Sequence, residues 1–494
     1  MNKRWWLFPL IVILILAAYL RLHDIAGYMT FLGDEGRDVL VVKRMIVDHK
    51  FTLLGPTASV GGFFLGPIYY YFMVPFLRAW QLDPVGPAVM VALFGIATVW
   101  LLFKVGKDFF HPWAGLFAAS LYALSPLVIA YSRSSWNPNL VPFFSLLLMY
   151  FLWSAVEKKR KNAFLLAGIA LGIGLQLHYL FLFLFVVSAI WLVLQRKTAP
   201  LHTSFAVVLL GFVIGYAPFL VFEIRHSFPN TQSIIRFVLA GEDTGVTAGF
   251  WRTVDDVLFR SFGRLLFRLP DGSLWAKLPP WQLYAWFIGT RLTVFLSVVN
   301  LAGKRMNRAA TLVLLWLAIV VIFFGFYQKG IYDYYFGIIF PLPFLLIGLL
   351  LQRAKVVGII LWIGLLVFNW QGRPFLHPPN NQLAQARRIA ETALAKTDGK
   401  PFNFALITGA NSDHVYRYFF EIEGNAPVTI ENNQVDPDRS TVTDQLIVIC
   451  ELSDCKPLGH PLWEIAGFGR AEIVGTWDVP FVKIFKLVHY TGKE

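Results

Sequence analysis

Charged residues are scarce in this chain, and their scarcity excludes an ordinary soluble protein. Asp, Glu, Lys and Arg make up 15% of the 494 residues, whereas soluble proteins carry about 25%. Hydrophobic residues instead reach 57%, and aromatic residues reach 16%. Such a composition is typical of lipid-facing helices with aromatic belts at the membrane surface. The sequence therefore predicts a multi-pass membrane protein.

Cysteine is rarer still, which leaves no basis for a disulfide framework. The chain has only Cys450 and Cys455, and this pair is compatible with one disulfide bond or with two reduced buried thiols. Neither the G-x-G-x-x-G nor the G-x-x-x-x-G-K-[ST] pattern occurs, so the sequence predicts no nucleotide-binding loop. No H-E-x-x-H motif or Cys/His cluster occurs either, and the participation of a divalent metal stays open.

Long apolar runs predict about 11 transmembrane helices, since a helix needs roughly 20 apolar residues to cross the hydrocarbon core. The predicted spans are 5–23, 88–107, 113–131, 139–156, 163–178, 180–195, 204–222, 284–302, 309–327, 335–352 and 355–370. The stretch Phe63 to Trp80 is also apolar but contains Pro67 and Pro75. We interpret it as a re-entrant segment or as one that lies on the membrane surface.

Basic residues orient these spans, because Lys and Arg concentrate in cytoplasmic loops. If the proline-containing stretch does not cross, Lys3, Arg4 and the basic cluster 158–161 lie on the cytoplasmic side. The short outside loops then hold only Arg133 and Lys329. The net charge of +13 is explained by these loops and requires no nucleic-acid partner. We expect a multi-pass protein of the plasma membrane with a cytoplasmic N-terminus.

Composition changes after residue 370, where patterns of a soluble domain begin. Amphipathic helices are predicted at 382–396 and 413–423, and strands at 402–408, 445–450 and 482–488. We therefore predict an all-α polytopic membrane domain over residues 1–370, with outer loops 24–87 and 223–283. A small soluble α/β domain over 371–494 is expected to follow it on the extracytoplasmic side.

The first outer loop carries the most informative local sequence, Phe31-Leu32-Gly33-Asp34-Glu35-Gly36-Arg37-Asp38. An apolar stretch of helical periodicity follows it, which predicts an amphipathic helix at the membrane surface with Asp34 near its N-cap. Asp34, Arg37 and Asp38 then share one face. Asp34 is either simply a cap favoured by the helix dipole or part of a functional group of acidic and basic side chains, and spacing alone leaves both interpretations open.

Other polar and aromatic residues lie at the outside ends of the spans, where polar groups are costly and their clustering indicates a site. They are Arg133, Asn137, His178, Tyr179, Lys329, Tyr332 and Tyr334. Each also has a structural explanation. The tyrosines fit an interfacial belt, Arg133 and Lys329 fit side chains that reach for lipid headgroups, and His178 fits a buried structural histidine.

These residues give the chain a resemblance to the GT-C superfamily of membrane glycosyltransferases, in particular the protein O-mannosyltransferases and the aminoarabinose transferase of lipid A. Asp34-Glu35 matches the Asp-Glu pair that these enzymes carry in the first outer loop, before a surface helix. Arg37 matches a basic residue of the aminoarabinose transferase. The segment Gly66 to Tyr71 resembles the aromatic stretch that enters the second surface helix of that loop.

Two further matches are partial. Family members usually place an Asp-Pro where this chain has Asn137-Pro138, so a charge-dependent role is weakened there. The Gly-rich stretch from Gly168 ends in His178-Tyr179, where relatives often have a lysine, so a basic phosphate contact is weaker. The resemblance covers roughly residues 5–225, has a fainter counterpart at 327–343 and does not extend to 371–494.

The resemblance implies an enzyme that transfers a sugar from a polyprenyl-phosphate donor to an acceptor hydroxyl outside the cytoplasm, with inversion. Asp34 would act as the general base, and Glu35 would orient Asp34 or the acceptor. Cationic groups would stabilise the leaving lipid phosphate. The candidates are Arg37, Arg133 and Lys329, with Arg264, Arg268 and Lys277 as weaker ones.

The remaining candidates would bind substrate. Tyr332 and Tyr334 would pack against the sugar or the lipid, and Asn137, His178 and Tyr179 complete the group. The implied partners are a lipid-linked sugar donor, a glycan, lipid or protein acceptor, and membrane lipids. No cofactor is certain, and the donor is a substrate.

Two other functions stay open. A transporter or flippase of lipid-linked sugars would use the same outer basic residues to hold phosphate, although the paired broken helices typical of transporters are not found in the sequence. A non-catalytic membrane scaffold with a partner-binding C-terminal domain would leave the Asp34 and Arg37 face unexplained.

Overall fold

The computed structural model of the chain describes residues 5–58, 60–239, 244–245, 249–303 and 306–492. Lys3 and Arg4, on which the predicted orientation partly rests, lie outside the described residues. The chain forms two compact units. The helical unit comprises Met1–Ile25, Phe51–Phe72 and Pro87–Pro378, and the C-terminal unit comprises Ala26–Lys50, Met73–Gly86 and Pro379–Glu494.

Apolar helices make up most of the helical unit. Among the described residues, four are long and apolar enough to cross a membrane: Val85–Phe109, Asn137–Glu157, Leu201–Arg225 and Pro280–Leu301. A further candidate is the pair Asp333–Ile339 and Pro341–Arg353, which is bent by 58°. The shorter apolar helices are Leu7–Leu22, Pro112–Leu124, Asn162–Leu177, Tyr179–Leu194, Arg308–Phe324 and Lys355–Trp370.

Every predicted span coincides with one of these helices or with the bent pair, except that 113–131 also takes in the short helix Pro126–Tyr131. The count of about 11 crossings stays a prediction. A helix rises about 1.5 Å per residue, so the 16 residues of Leu7–Leu22 reach less far than the roughly 30 Å of the hydrocarbon core. The proline-containing stretch forms the helix Ile68–Ala79, which has 12 residues with Pro75 inside. That length suits the interpretation of a segment that does not cross.

Shorter helices connect the apolar ones in the helical unit. They are Pro126–Tyr131, Pro229–Leu239 and Phe250–Leu266, with 3₁₀ turns at Gly272–Lys277 and Pro374–Leu376. The helix Phe250–Leu266 lies in the predicted outer loop 223–283. It carries basic side chains on one face and buries Val257, Phe259 and Phe262 on the other, as an amphipathic helix does.

Glycine allows a close helix contact in this unit. Helices Asn162–Leu177 and Leu201–Arg225 pack together so tightly that a Cβ atom at Gly168 would lie 2.0 Å from the carbonyl oxygen of Val208. A Cβ atom at Gly211 would lie 2.1 Å from the carbonyl oxygen of Leu165. Small residues at such spacing let membrane helices approach backbone to backbone, which explains the Gly-rich sequence of the first helix.

The C-terminal unit contains a four-stranded sheet in the order β1-β2-β4-β3. The strands are β1 (Asn403–Ile407), β2 (Gln445–Cys450), β3 (Ala471–Val479) and β4 (Val482–His489). β1 and β2 run parallel, and β4 is antiparallel to both β2 and β3. The helices of the C-terminal segment are Gln382–Ala395, His414–Ile422 and Trp463–Ala466.

These elements confirm the predicted α/β character, and three of the four strands coincide with predicted ones. β1 and β2 are buried along their whole length, so their apolar runs are easily recognised. β3 is the strand that the sequence did not predict. It lies at the edge of the sheet and none of its residues is buried, so it carries no strong apolar pattern. Cys450 and Cys455 form a disulfide bond in the structure, which resolves the alternative that the sequence left open.

Part of the first outer loop belongs to the C-terminal unit. The helix Gly33–Val47, called here the acidic helix, buries the apolar side chains of Val39, Leu40, Val42 and Met45. The prediction divided the chain at 370/371 and assigned all of 24–87 to the membrane domain. The compact units instead separate at Pro378 and include Ala26–Lys50 with the C-terminal residues, because the acidic helix needs a protein surface to cover its apolar face.

Candidate functional site

The acidic helix begins with a cap that differs from the predicted one. Its N-cap residue is Leu32, and the buried carboxylate of Glu35 accepts a hydrogen bond of 3.0 Å from the Leu32 N–H. This is one half of a capping box, because leucine offers no acceptor for the reciprocal bond. Asp34 and Glu35 both lie in the first turn, where the helix dipole favours negative charge. The interpretation of Asp34 as simply a cap is therefore not supported, since Glu35 makes the capping bond.

Asp34 instead belongs to an ion-pair group on the surface of this helix. The Arg37 guanidinium lies 2.9 Å from a carboxylate oxygen of Asp34 and 2.8 Å from one of Asp38. These pairs confirm that the three side chains share a face. Asp38 is fully buried, whereas the Asp34 side chain is 52% exposed. Arg37 thus holds Asp34 in place while its carboxylate stays accessible from solvent.

Glu35 differs from its neighbour in environment and in charge. Burial, together with the smaller effect of the charges of Asp34 and Asp38, raises the pKa of its carboxyl from an ordinary value of 4.5 to about 7. The hydrogen bond from the Leu32 N–H opposes the shift. Two adjacent carboxyl groups therefore sit in unlike surroundings, one accessible and one buried. Such pairs are typical of sites in which two acids have different roles.

The elevated pKa of Glu35 predicts a pH-dependent stability. Below pH 4.5 both folded and unfolded states hold the proton, and stability is greatest. Between pH 4.5 and about 7 the unfolded state ionises first, so the free energy of unfolding falls by roughly 3 kcal/mol and then levels off. We expect the melting temperature of the full chain to decline over this range, and the Glu35→Gln variant to lose most of that decline.

The difference between variant and wild type isolates this one group from all others that titrate. Glu423→Gln, at an exposed position of the same unit, is the matched control and should follow the wild-type curve. Equal pH dependence in wild type and Glu35→Gln would show that Glu35 is ionised in the folded protein at acidic pH.

The other predicted site residues lie in the helical unit, and Arg133 has a structural role there. Its guanidinium is buried and donates hydrogen bonds to the carbonyl oxygens of Leu20, His23 and Asp24, at 2.8, 2.7 and 2.9 Å. These carbonyls end the first apolar helix, Leu7–Leu22, where cations are favoured by the dipole. This arrangement favours a helix cap over the predicted phosphate contact.

Asn137 and His178 lie close together at the end of the helix Asn162–Leu177. The Asn137 amide donates a 2.7 Å hydrogen bond to the carbonyl oxygen of Leu177, and His178 Nδ1 accepts one of 3.3 Å from the Leu180 N–H. Both side chains are buried. Their hydrogen bonds fix the turn between two apolar helices, so the structural alternative for His178 is supported by its contacts.

The predicted tyrosines gather around this turn. The ring centroid of His178 lies 4.7 Å from that of Tyr179 and 6.0 Å from that of Tyr334. Tyr332 and Tyr334 are stacked with centroids 5.8 Å apart, and Tyr332 is 61% exposed. An aromatic group with one exposed member can pack against a sugar or an isoprenoid. Lys329, in the same connection, is exposed.

Four residues of this region make contacts that the sequence does not predict. They are Trp136, Asp333, Arg260 and Arg264. The Trp136 ring lies 4.4 Å from that of Tyr334. Asp333 is 9% exposed, and its two carboxylate oxygens pair with Arg260 at 2.8 Å and Arg264 at 2.6 Å. The run Tyr-Asp-Tyr-Tyr at 332–335 signals an unusual segment, but its arginine partners are distant in sequence.

A small cavity adjoins Tyr334. It has a volume of about 20 Å³ and is lined by tyrosine rings, Ser132 and Asn139 among apolar neighbours. Arg264, predicted as a weaker phosphate contact, is engaged by Asp333, and Arg268 donates to the carbonyl oxygen of Phe368 at 2.8 Å. Lys277 is exposed. The described residues contain no group of three or more His, Cys, Asp or Glu side chains suited to a metal ion.

The structure thus sorts the candidates into two sets. Asp34, Glu35 and Arg37 come together on the acidic helix of the C-terminal unit. Asn137, His178, Tyr179, Tyr332 and Tyr334 come together in the helical unit. Arg133 donates to backbone carbonyls at the end of the first apolar helix.

A comparison with known families matches part of the chain. Residues 66–222 match the family model described as dolichyl-phosphate-mannose-protein mannosyltransferase. No curated protein sequence matches the chain.

Solved structures match nearly the whole chain. ArnT from Cupriavidus metallidurans bound to undecaprenyl phosphate is similar with a TM-score of 0.66 at 12% identity, over 98% of both chains. The oligosaccharyltransferase AglB from Archaeoglobus fulgidus, in complex with an inhibitory peptide and a dolichol-phosphate, has a TM-score of 0.55 at 12% identity. That match covers 98% of this chain and 74% of AglB. These similarities confirm the resemblance inferred from the sequence: the chain has the GT-C fold of membrane glycosyltransferases.

Proposed function

We propose that this protein is a glycosyltransferase that moves a sugar from a polyprenyl-phosphate donor to an acceptor hydroxyl on the extracytoplasmic face of the plasma membrane. Structures of the same fold hold undecaprenyl phosphate, or a dolichol-phosphate with an inhibitory peptide. The observation that carries the proposal is Asp34, a half-exposed carboxylate held by Arg37 at the start of the acidic helix, in a chain of this fold.

The reaction needs one base and one leaving group. The acceptor oxygen attacks the anomeric carbon, the bond between that carbon and the phosphate oxygen breaks, and its electrons leave with the polyprenyl phosphate. The hydroxyl proton passes to Asp34. A single displacement of this kind inverts the anomeric centre. The exposure of Asp34 (52%) allows an acceptor hydroxyl to reach it, whereas burial removes Glu35 from that role.

Glu35 supports the base rather than replacing it. Its carboxyl group caps the acidic helix through the Leu32 N–H, and thereby fixes the turn from which Asp34 projects. Burial and the two neighbouring acids raise its pKa to about 7, so Glu35 itself is partly protonated near neutral pH. Glu35 accordingly orients Asp34, which is one of the two roles that the family resemblance implied for it.

For the leaving phosphate, Arg37 and Lys329 each stay a candidate implied by the family resemblance, and we remove Arg133, which caps a helix. Tyr332 and Tyr334 would pack against the sugar or the isoprenoid. A metal ion and an arginine can each stabilise the negative charge on the leaving phosphate. The test below therefore also asks whether a divalent metal takes part.

The placement of the C-terminal unit outside the cytoplasm rests on the distribution of basic residues and on the disulfide bond. Lys158 lies in the predicted cytoplasmic cluster and pairs with Asp108 at the ends of two apolar helices. The disulfide bond between Cys450 and Cys455 supports an oxidising surrounding for the C-terminal unit, because disulfides persist outside the cytoplasm.

The proposal is tested with purified full-length protein in lipid vesicles that contain undecaprenyl phosphate carrying radiolabelled mannose or aminoarabinose. Transfer of label out of the lipid fraction, proportional to protein, is the expected result. It should occur only in vesicles whose C-terminal unit is accessible to added protease. Labelled donor that changes leaflet intact would instead establish the transporter alternative and contradict the proposal. A parallel sample with EDTA, followed by added Mg²⁺ or Mn²⁺, decides whether a metal takes part.

A further inference from the structure

In the C-terminal unit, the sheet fixes the helix turn that carries Asp34. Strands β1 and β2 are parallel and end at Ile407 and Cys450, so the residues that follow them, Thr408 and Glu451, meet at one edge. The Thr408 hydroxyl donates a 2.6 Å hydrogen bond to the Glu451 carboxylate. In α/β sheets this edge is where ligands are usually bound. Here it faces a segment of the same chain.

Glu451 collects three donors and orients one of them. Its carboxylate also accepts a 2.8 Å hydrogen bond from the Tyr416 hydroxyl and one of 2.9 Å from the Asn411 amide. With its NH₂ group committed to Glu451, Asn411 presents its carbonyl oxygen in the opposite direction. That oxygen accepts hydrogen bonds of 2.9 Å from the backbone N–H groups of Gly33 and Ser412.

Gly33 is the first residue of the acidic helix and precedes Asp34. Its N–H is one of the donors that a helix leaves without an intrahelical partner, and Asn411 supplies the acceptor. The contact is close as well as specific. A Cβ atom at Gly33 would lie 2.8 Å from the Ser412 nitrogen, and one at Gly36 would lie 2.7 Å from Val415 Cα. Glycine on both sides of Asp34 and Glu35 therefore permits this approach.

The far end of the acidic helix is fixed to the same surface. Arg44 pairs with Glu421, and Lys43 Nζ lies 3.5 Å from the same carboxylate. Glu421 belongs to the helix His414–Ile422, which follows Asn411 directly. The acidic helix is thus attached at its first turn and its last turn to one short segment, 411–421.

We infer that Asn411 and Glu451 are positioning residues for Asp34, and that the sheet edge of the C-terminal unit sets the placement of the general base. The inference rests on the proposed function. A base must sit within hydrogen-bond reach of the proton that it removes, and a misplacement of about 1 Å costs on the order of 10²-fold in rate. The C-terminal residues 371–494, which lie outside the family resemblance, thereby become part of the catalytic arrangement.

Exchanging the amide and the carboxylate between Asn411 and Glu451 tests whether these two residues act as a pair. Asn411→Asp keeps an acceptor for the Gly33 N–H but places a carboxylate against that of Glu451, and we expect kcat to fall about tenfold or more. Adding Glu451→Gln supplies an amide that donates to the new carboxylate, and should restore most of the lost rate. Glu451→Gln alone should be mild, because its amide oxygen still accepts from Asn411. Donor transfer is measured with the vesicle assay above.

Ligand affinity and amide hydrogen exchange distinguish a loss of positioning from a general loss of structure. The Kd for undecaprenyl phosphate and the KM for donor should stay within about twofold of wild type, while amide hydrogen exchange at residues 31–40 becomes faster in Asn411→Asp and returns in the double variant. Asn433→Asp, the same change at an exposed position of this unit, is the control. If Asn411→Asp is not recovered in membranes, Tyr416→Phe removes one donor to Glu451 and should lower kcat severalfold.

The outcomes distinguish the two proposals. If Asp34→Asn keeps full activity, the proposed function fails whatever Asn411 does. If Asp34→Asn is inactive while Asn411→Asp equals wild type, or if the second substitution restores nothing, the positioning inference is overturned and the proposed function stands.

Discussion

Asp34→Asn is expected to lower the rate of sugar transfer by roughly 10²–10⁴-fold, the range that a positioned general base contributes. Asparagine has the size of aspartate but cannot accept the hydroxyl proton at neutral pH. The loss should appear in kcat and kcat/KM together, because the proton moves only in the transition state. Donor binding should change little.

The variant is also expected to fold. The Asp34 side chain is 52% exposed, and exposed ion pairs contribute only about 0–1 kcal/mol to stability. Arg37 keeps its partner Asp38 at 2.8 Å, and the cap made by Glu35 does not involve Asp34. Loss of activity would therefore report on chemistry and not on a collapsed helix.

The measurement is transfer from radiolabelled donor, with membrane content, melting temperature and affinity for undecaprenyl phosphate as companions. Asp438→Asn makes the same chemical change at an exposed position of the same unit and should match wild type. Near-normal transfer by Asp34→Asn would remove Asp34 from the reaction. Normal intact movement of labelled donor between leaflets in both proteins would point to a transporter.

Local features of this site follow from the sequence. Asp34, Arg37 and Asp38 are three and four positions apart, so helical geometry alone predicts the face that the structure shows. Continuous apolar runs predict the buried strands β1 and β2. The reassignment of the cap to Glu35 also has a local signal, since a Glu three residues into a helix commonly reaches back to the N-cap backbone.

Features that depend on distant partners could not be predicted. Gly33 and Asn411 are 378 positions apart, and no periodicity links them. The sequence offered Arg264 as a phosphate contact because a basic residue in an outer loop is available for one. Its actual partner Asp333 lies 69 positions away, and a pairing across such a distance is fixed only by the packing of helices.

The second large effect is expected from Asp333→Ala. Asp333 is 9% exposed and is the shared partner of two arginines that are themselves only 20% and 17% exposed. Removing the carboxylate leaves both cations partly buried without it, and breaking such a pair typically costs about 3–5 kcal/mol. Arg260 retains Asp256 at 3.2 Å, so the lower part of that range is expected.

Activity should fall with stability, because Asp333 begins the turn Asp333–Ile339 and lies between Tyr332 and Tyr334. Without the two arginine contacts, these tyrosines lose the anchor that fixes their rings near His178. We expect a raised KM for donor as well as a lower melting temperature. Asp333→Asn, which keeps one acceptor oxygen for an arginine, should lie between the variant and wild type in both measurements.

An exposed ion pair made by the helix that carries Arg260 and Arg264 provides the control. Asp255 and Arg291 lie 2.6 Å apart with side chains 57% and 48% exposed, and Asp255→Ala should cost no more than about 1 kcal/mol and leave KM unchanged. Thermal unfolding of both alanine variants in the same detergent makes the comparison direct. Equal losses in the two would mean that burial does not strengthen the Asp333 group, and that the tyrosine turn is held by aromatic packing instead.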